Sequence, residues 1–240
     1  YYAMANKLVR FAILFITTLG AVLLPRLSHL VNTDRKQYLN YAQKAVNYIL
    51  IISIPFMSIF YLFADDYTML MGGEDFKPAV LTMKILSPLI LVVGIAYFVG
   101  YLVLYPQGKE KIYTIATVFS AVLSVVCNKF MIPIYYQNGT AAVALFSEIL
   151  GVIVMFWFGK EQLKEIKFFS KSFYQYIISA IFLFFITNLF RNYLEINSLF
   201  LKAIIETAIA FILFFGFLFL LGENVTKEVF YMIKIKLLKK

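Results

Sequence analysis

Long apolar runs separated by short polar connectors dominate the pattern of this chain. About seven such runs can be marked, and most of them approach the roughly 20 apolar residues that an α-helix needs to cross a bilayer. They cover residues 1–24, 45–63, 85–104, 112–132, 140–158, 176–190 and 199–221. The pattern predicts an all-α membrane protein whose residues 1–221 form a bundle of about seven transmembrane helices.

The connectors carry the residues that end or bend helices. Pro25 is predicted to end the first helix after Leu24, with a polar connector continuing to about Lys44. The stretch ADDYTMLMGGEDF is predicted to be a loop, YYQNG to separate the fourth and fifth spans, and residues 160–171 to form a polar helix with four lysines on one face. Pro55 is predicted to kink the second span, and Pro88 to interrupt the third.

Composition supports a membrane protein. The chain is 62% hydrophobic and 15% charged, whereas soluble domains carry about 25% charged residues. One Cys and one His cannot supply a disulfide framework or a metal site built from His and Cys clusters, so no cofactor is predicted.

The net charge of +9 is distributed unevenly over the connectors. Most of the 22 cations lie in alternate connectors and in the final residues 222–240, which marks that side as cytoplasmic by the positive-inside rule. The first span then enters from outside, and the chain ends in a basic amphipathic cytoplasmic tail over residues 222–240. Because the charge is spread over four segments, nucleic acid is not a predicted partner.

Lys7 and Arg10 are the first candidate site residues, because they lie inside an apolar run. A cation at the centre of a span costs roughly 2.5–3.5 kcal/mol on translocon scales. The two residues are three positions apart and share one helix face, with Asn6 beside them. Two interpretations stay open: the cations face a cavity, or they lie near the outer end and extend to the lipid headgroups.

Other polar residues also fall within or next to predicted spans. Asn128 and Lys129 lie near the outer end of the fourth span, and Glu148 lies in the fifth, where it needs a cavity, a cation or another polar partner. Lys202 and Glu206 are four residues apart in the seventh span and are predicted to neutralise each other.

The acidic stretch between the second and third spans offers Asp65, Asp66, Glu74 and Asp75. These side chains fit either a cation site or a solvated loop, and the loop is the preferred interpretation. The chain has no HExxH motif, no phosphate-binding glycine loop and no pairing of a nucleophile with a base, so it is not predicted to be an enzyme.

Three segments carry a resemblance to a known family. ANKLVRFAILFITTLGAVLLPRLS, CNKFMIPIYYQNGTAAVALFSE and the GGEDF stretch followed by Pro78 and Ala79 resemble the polysaccharide (O-antigen and capsule) flippases of the Wzx type. These flippases belong to the MATE/MOP superfamily, together with the lipid II flippases and the multidrug and toxin extruders.

The resemblance implies the C-terminal half of a longer transporter, and the absence of an initiating Met agrees with that expectation. It implies one lobe of a MATE-like, two-lobed protein of the cytoplasmic membrane that flips a polyprenyl-diphosphate-linked oligosaccharide during surface polysaccharide synthesis. Lys7 falls on the family's cavity cation. Expected partners are this lipid-linked substrate, membrane lipids, a coupling cation (Na⁺ or H⁺) and polysaccharide-assembly proteins.

Three alternatives stay open at this stage. A cation-coupled multidrug exporter of the same superfamily would use a carboxylate such as Glu148. A membrane-embedded polysaccharide polymerase or transferase would need a large external loop, which the predicted connectors do not provide. A non-transporting assembly subunit is compatible with the aromatic content of 18%.

Overall fold

The computed structural model of this chain describes residues 1–190, 198–228 and 230–231. Within them, all regular elements are helical. The helices are α1 (Tyr2–Thr33), α2 (Arg35–Leu62), α3 (Ala64–Gly72), α4 (Ala79–Leu86), α5 (Leu89–Tyr97), α6 (Glu110–Phe158), α7 (Lys160–Leu163), α8 (Lys171–Phe190) and α9 (Leu199–Leu220), with a 3₁₀ turn at Glu74–Phe76 and a π-helix at Phe98–Leu104. Six helical segments of this region are long and apolar enough to cross a membrane. The predicted all-α membrane bundle is confirmed.

Helix α6 consists of two helical arms that meet at a kink at Tyr136, where the chain reverses direction. This residue adopts φ 51° and ψ −131°, a strained conformation for a residue with a side chain. The two arms, 110–135 and 137–158, pack against each other, and the Ser120 hydroxyl donates a hydrogen bond to the Ser147 carbonyl at 2.9 Å. At about 1.5 Å per residue each arm is more than 30 Å long, enough for a bilayer crossing. The break between the arms lies inside the YYQNG stretch that was predicted to separate the fourth and fifth spans.

The first connector differs from the prediction. Helix α1 continues through Pro25 to Thr33, and Asp34 is the one residue between α1 and α2. The segment beyond the proline stays helical because Leu27 and Leu30 are buried in the bundle. Asp34 has an extended backbone, and its carboxylate accepts a hydrogen bond from the Gln37 backbone N–H at 2.9 Å, which caps α2.

Two further connectors also differ from their predictions. The acidic stretch expected to be a loop forms helix α3 and the 3₁₀ turn. Conversely, the expected lysine-rich helix over 160–171 is broken: α7 covers Lys160–Leu163, and Lys171 is already the first residue of α8. The Gln43 side chain accepts from the Lys167 N–H at 2.9 Å and donates to its carbonyl at 3.0 Å. These bonds replace those that a helix would supply, so the four lysines do not share a helix face.

The third predicted span is a composite of three helical pieces. Helix α4 ends before Ser87, α5 begins after Pro88, and the π-helix begins at Phe98. Pro88 cannot donate a backbone hydrogen bond, which accounts for the interruption predicted there. A π-helical stretch is rare and frequently marks a functional region, so this segment directs attention to the side chains around it.

Contacts between connectors divide the bundle into two ends. At one end, Arg35 pairs with Glu165 at 2.7 Å, and Lys44 pairs with Glu228 at 3.6 Å. At the other end, Lys84 pairs with Asp65, Lys202 pairs with Asp66, and Thr82 donates to Asn138. We call the first the basic end, because the connectors rich in lysine and arginine meet there. Alternate connectors therefore lie together, as a bundle of antiparallel spans requires.

The tail predicted over residues 222–240 is described in part. Its beginning is tied to the basic end, because the buried Glu223 carboxylate accepts hydrogen bonds from the Tyr176 hydroxyl at 3.0 Å and from the Thr226 N–H at 2.7 Å. Residues 224–228 are helical. Residues 232–240, which carry four of the predicted lysines, lie outside the described residues.

Gly94 gives a test of the packing between the spans. A Cβ at Gly94 would lie 2.7 Å from the Ser53 Oγ and 3.2 Å from the Ile49 Cγ2, so a larger residue would separate α5 from α2. We expect Gly94→Val to lower the free energy of unfolding in detergent by about 2 kcal/mol. Gly216→Val is the matched control, because a Cβ there meets nothing within 4 Å. Equal losses in the two variants would contradict close packing at Gly94.

Candidate functional site

A polar cavity of about 440 Å³ lies between α1, α5 and the two arms of α6. Its size falls within the roughly 300–1,000 Å³ typical of small-ligand sites. The polar side chains that line it are Tyr2, Arg10, Tyr97, Tyr113, Thr117, Ser120, Ser124, Ser147 and Glu148. The cavity is formed by segments far apart in sequence, because α1, α5 and both arms of α6 contribute to its lining.

Arg10 and Glu148 are the charged residues among the described lining side chains. They carry opposite charges and lie close enough to interact electrostatically, although no ion pair within 4 Å forms between them. Glu148 is half-buried and Arg10 is exposed. The Glu148 carboxylate, which was expected to need a partner inside the membrane, therefore shares the cavity with the Arg10 cation. The net charge of the two side chains is zero.

Three of the four serine and threonine hydroxyls that line the cavity donate hydrogen bonds to backbone carbonyls, whereas Ser124 accepts one from the Asn128 amide. Ser147 donates to the Ala144 carbonyl at 3.1 Å, and Thr117 donates to the Tyr113 carbonyl at 2.9 Å. Ser120 donates to the opposite arm of α6, as described above. A hydroxyl whose proton is used still has oxygen lone pairs that can accept. This wall of the cavity therefore offers hydrogen-bond acceptors to a ligand.

The predicted site residues divide into two groups. Arg10 and Glu148 meet in the polar cavity, and the Asn128 amide donates to Ser124, one of the lining residues, at 3.3 Å. Lys7 and Lys129 are exposed and are not among the lining residues. Lys7 therefore shares a helix with Arg10 without sharing its cavity.

Asn6 is half-buried, and it does not line the cavity either. Its Oδ1 atom is shielded from solvent and has no hydrogen-bond partner among the described residues. An amide oxygen in that state can accept a further hydrogen bond.

A row of stacked tyrosines at the cavity was not predicted from the sequence. Tyr97 stacks on Tyr101 with ring centroids 5.1 Å apart, and Tyr101 stacks on Tyr105 at 6.2 Å. The Tyr113 ring meets Tyr101 edge-on at 5.2 Å. The signal was present as tyrosines at every fourth position from 97 to 105, but aromatic spacing in an apolar helix ordinarily indicates packing.

A second polar cluster lies at the end of the bundle opposite the basic end. Lys202 on α9 contacts the Asp66 carboxylate of α3 at 2.7 Å and the Glu206 carboxylate at 3.8 Å. Lys202 therefore contacts its predicted partner Glu206 and, at a shorter distance, Asp66. Tyr67 and Thr207 share a hydrogen bond at 2.6 Å beside it. Burial raises the pKa of Tyr67 to about 12, and the neighbouring carboxylates add to this shift, so its hydroxyl stays protonated at neutral pH.

The four acidic residues of the α3 region do not converge on one cation. Asp65 pairs with Lys84, Glu74 with Lys77, and Asp66 with Lys202. The described residues contain no group of three or more metal-ligating side chains. The expectation that these acidic side chains form a solvated loop is wrong for Asp66, because this residue is buried and bonded to a transmembrane helix.

These features define the class of the molecule: a multi-pass helical membrane protein with a polar cavity inside its bundle. Residues 1–81, which include α1 and α2, match the family described as "Polysaccharide biosynthesis protein". Among curated proteins, no match reaches significance.

The fold is similar to that of a solved structure, the lipid II flippase MurJ in an inward closed conformation. The TM-score is 0.69 with 16% sequence identity, and the similarity covers 96% of this chain and 48% of the flippase. The chain therefore spans about half the length of that protein. At this level of identity the similarity establishes a shared helical architecture.

Proposed function

We propose that this chain is one lobe of a transporter that flips a lipid-linked oligosaccharide from the cytoplasmic to the outer leaflet during surface polysaccharide synthesis. The observation that carries the proposal is a cation-bearing membrane helix, α1, whose Arg10 lines a polar cavity inside an apolar bundle. The match of residues 1–81 to a polysaccharide biosynthesis family includes the same helix. The MurJ-like fold supports movement of a lipid-linked substrate.

The cations of α1 suit the diphosphate of a polyprenyl-diphosphate-linked oligosaccharide. Ammonium and guanidinium groups form short, charge-assisted hydrogen bonds with phosphate oxygens, and an arginine can bind two of them at once. We assign the stronger role to Lys7, because it is exposed and lies outside the cavity in which Glu148 opposes Arg10. Asn6 adds an amide on the same helix, and Asn128, Lys129 and Glu148 complete the proposed substrate-binding set.

The proposed transport cycle uses two lobes. Similarity to 48% of the MurJ chain fits a single lobe, which would face a second lobe across the substrate path. The proposed location is the cytoplasmic membrane, with the basic end and the C-terminus in the cytoplasm. A coupling cation, Na⁺ or H⁺, and polysaccharide-assembly proteins are the further proposed partners. The proposed activity moves a substrate and breaks no covalent bond in it.

The proposal is tested by a transport assay in vesicles. The complete transporter, of which this chain is proposed to be one lobe, is reconstituted into proteoliposomes that contain fluorescent undecaprenyl-diphosphate-linked oligosaccharide, and a membrane-impermeant quencher reports the substrate in the outer leaflet. We expect the quenched fraction to rise with time only in vesicles that contain the protein. Equal rates in protein-free vesicles, with the protein shown to be folded and inserted, would contradict the proposed function.

A further inference from the structure

The chemistry of the polar cavity points to a ligand without net charge. We propose that this cavity binds a sugar unit of the lipid-linked oligosaccharide, while the diphosphate binds elsewhere on α1. The inference rests on the proposed function and specifies which part of the substrate occupies the space between α1, α5 and the arms of α6. Three properties of the lining support it: charge, hydrogen-bonding capacity and aromatic surface.

Charge argues against a phosphate in the cavity. A diphosphate needs an excess of positive charge, because removing it from water is costly unless cations replace the lost hydration. The Arg10 guanidinium is opposed by the Glu148 carboxylate in the same space, and no other charged side chain is among the described lining residues. Glu148 would repel a phosphate. An arginine with a carboxylate suits sugar hydroxyls, which donate to the carboxylate and accept from the guanidinium.

The hydroxyls of Thr117, Ser120 and Ser147 also favour a sugar over a phosphate. Because Ser120, Ser147 and Thr117 donate to backbone carbonyls, their oxygens are left to accept. A phosphate dianion has no proton to donate to them, whereas each sugar hydroxyl has one. These three hydroxyls therefore complement a polyhydroxylated ring better than an anion.

Two tyrosines supply the aromatic surface that a sugar ring requires. Tyr97 and Tyr113 both line the cavity. A pyranose ring has an apolar face of C–H groups that packs against an aromatic side chain, while the Tyr hydroxyl remains available at the ring edge. Gly20 of α1 lets the Tyr97 ring lie directly against the helix backbone, since a Cβ at Gly20 would overlap the ring. This contact and the stacking on Tyr101 hold the ring in place before a ligand arrives.

The inference is tested by binding measurements with two defined probes. The native protein in detergent is titrated with undecaprenyl-diphosphate-linked N-acetylglucosamine and with undecaprenyl diphosphate, which lacks the sugar. We expect the wild-type protein to prefer the sugar-bearing probe by about tenfold or more. Tyr97→Ala should remove this preference and leave the affinity for undecaprenyl diphosphate within about twofold, and Tyr97→Phe should retain most of the preference because the ring remains.

A cavity-filling variant and a control complete the test. Ala121 lines the cavity, so Ala121→Trp should also remove the sugar preference without deleting a contact. Tyr61→Ala is the control, because Tyr61 is an exposed aromatic residue on α2 outside the cavity. A wild-type protein that binds both probes equally would overturn the inference and leave the proposed function intact, and so would parallel losses for both probes in the cavity variants. A folded wild-type protein that binds neither probe would overturn both.

Discussion

Cells that carry the double variant Lys7→Ala/Arg10→Ala are expected to make almost no surface polysaccharide. The change removes the two cations in the N-terminal part of α1, each of which has a separate proposed role: Lys7 toward the diphosphate and Arg10 opposite Glu148. Hydrogen bonds to charged groups contribute about 1.5–3 kcal/mol each, so the loss of two should lower transport by about 100-fold or more. The measurement is the amount of surface polysaccharide per cell, normalised to the amount of protein in the membrane.

The single variants separate the two cations. Lys7→Ala should reduce polysaccharide more than Arg10→Ala, and Lys7→Arg should retain activity because a cation stays on the same face of α1. Lys77→Ala and Lys109→Ala are controls that remove exposed cations outside the spans, and both should give normal polysaccharide. Normal polysaccharide from a stably inserted double variant would contradict a role for the α1 cations in transport.

The helices of this bundle were predictable because each depends on local information. An apolar run of sufficient length has few alternatives to a membrane-crossing helix, since lipid offers no partner for backbone N–H and C=O groups. The ends of the helices were less predictable. Pro25 indicates a helix end by its own chemistry, but α1 continues past it because Leu27 and Leu30 are buried against other helices. The non-helical backbone at Lys167 is hydrogen-bonded to Gln43, which is distant in sequence.

The candidate site was predictable in its charges and not in its shape. Arg10 and Glu148 stood out because charged residues are rare in spans. That they line one cavity depends on the reversal at Tyr136, which places the second arm of α6 beside the first. The contribution of Tyr97 depends on the π-helix that follows it and on the close approach of Gly20. Neither relation can be read from a single stretch of residues.

The contacts of Lys202 were also only partly predictable from the sequence. Its pairing with Glu206 follows from the spacing of four residues on one helix. Its shorter contact, to Asp66 at 2.7 Å, joins α9 to α3 and could not be predicted from spacing. The Lys202 side chain is 23% exposed, and those of Asp66 and Glu206 are 6% and 1% exposed. One ammonium group thus serves two carboxylates that have little access to water.

We expect Lys202→Ala to lower the free energy of unfolding by about 3 kcal/mol, because removing one member of a buried ion pair leaves the desolvated charge of the other. Unfolding is followed by the fluorescence of Trp157 in detergent. Lys77→Ala is the matched control: the pair between Lys77 and Glu74 is formed at 2.9 Å by side chains that are 63% and 73% exposed, and its loss should cost less than about 1 kcal/mol.

A second substitution distinguishes charge from packing in the Lys202 cluster. If the cost arises from uncompensated carboxylate charge, Glu206→Gln should restore part of the stability when it is added to Lys202→Ala, because one of the two negative charges is then removed. If the cost arises from lost packing of the lysine stem, the second change should add to the damage. Similar losses in Lys202→Ala and Lys77→Ala would contradict a stabilising role for the contact between α3 and α9.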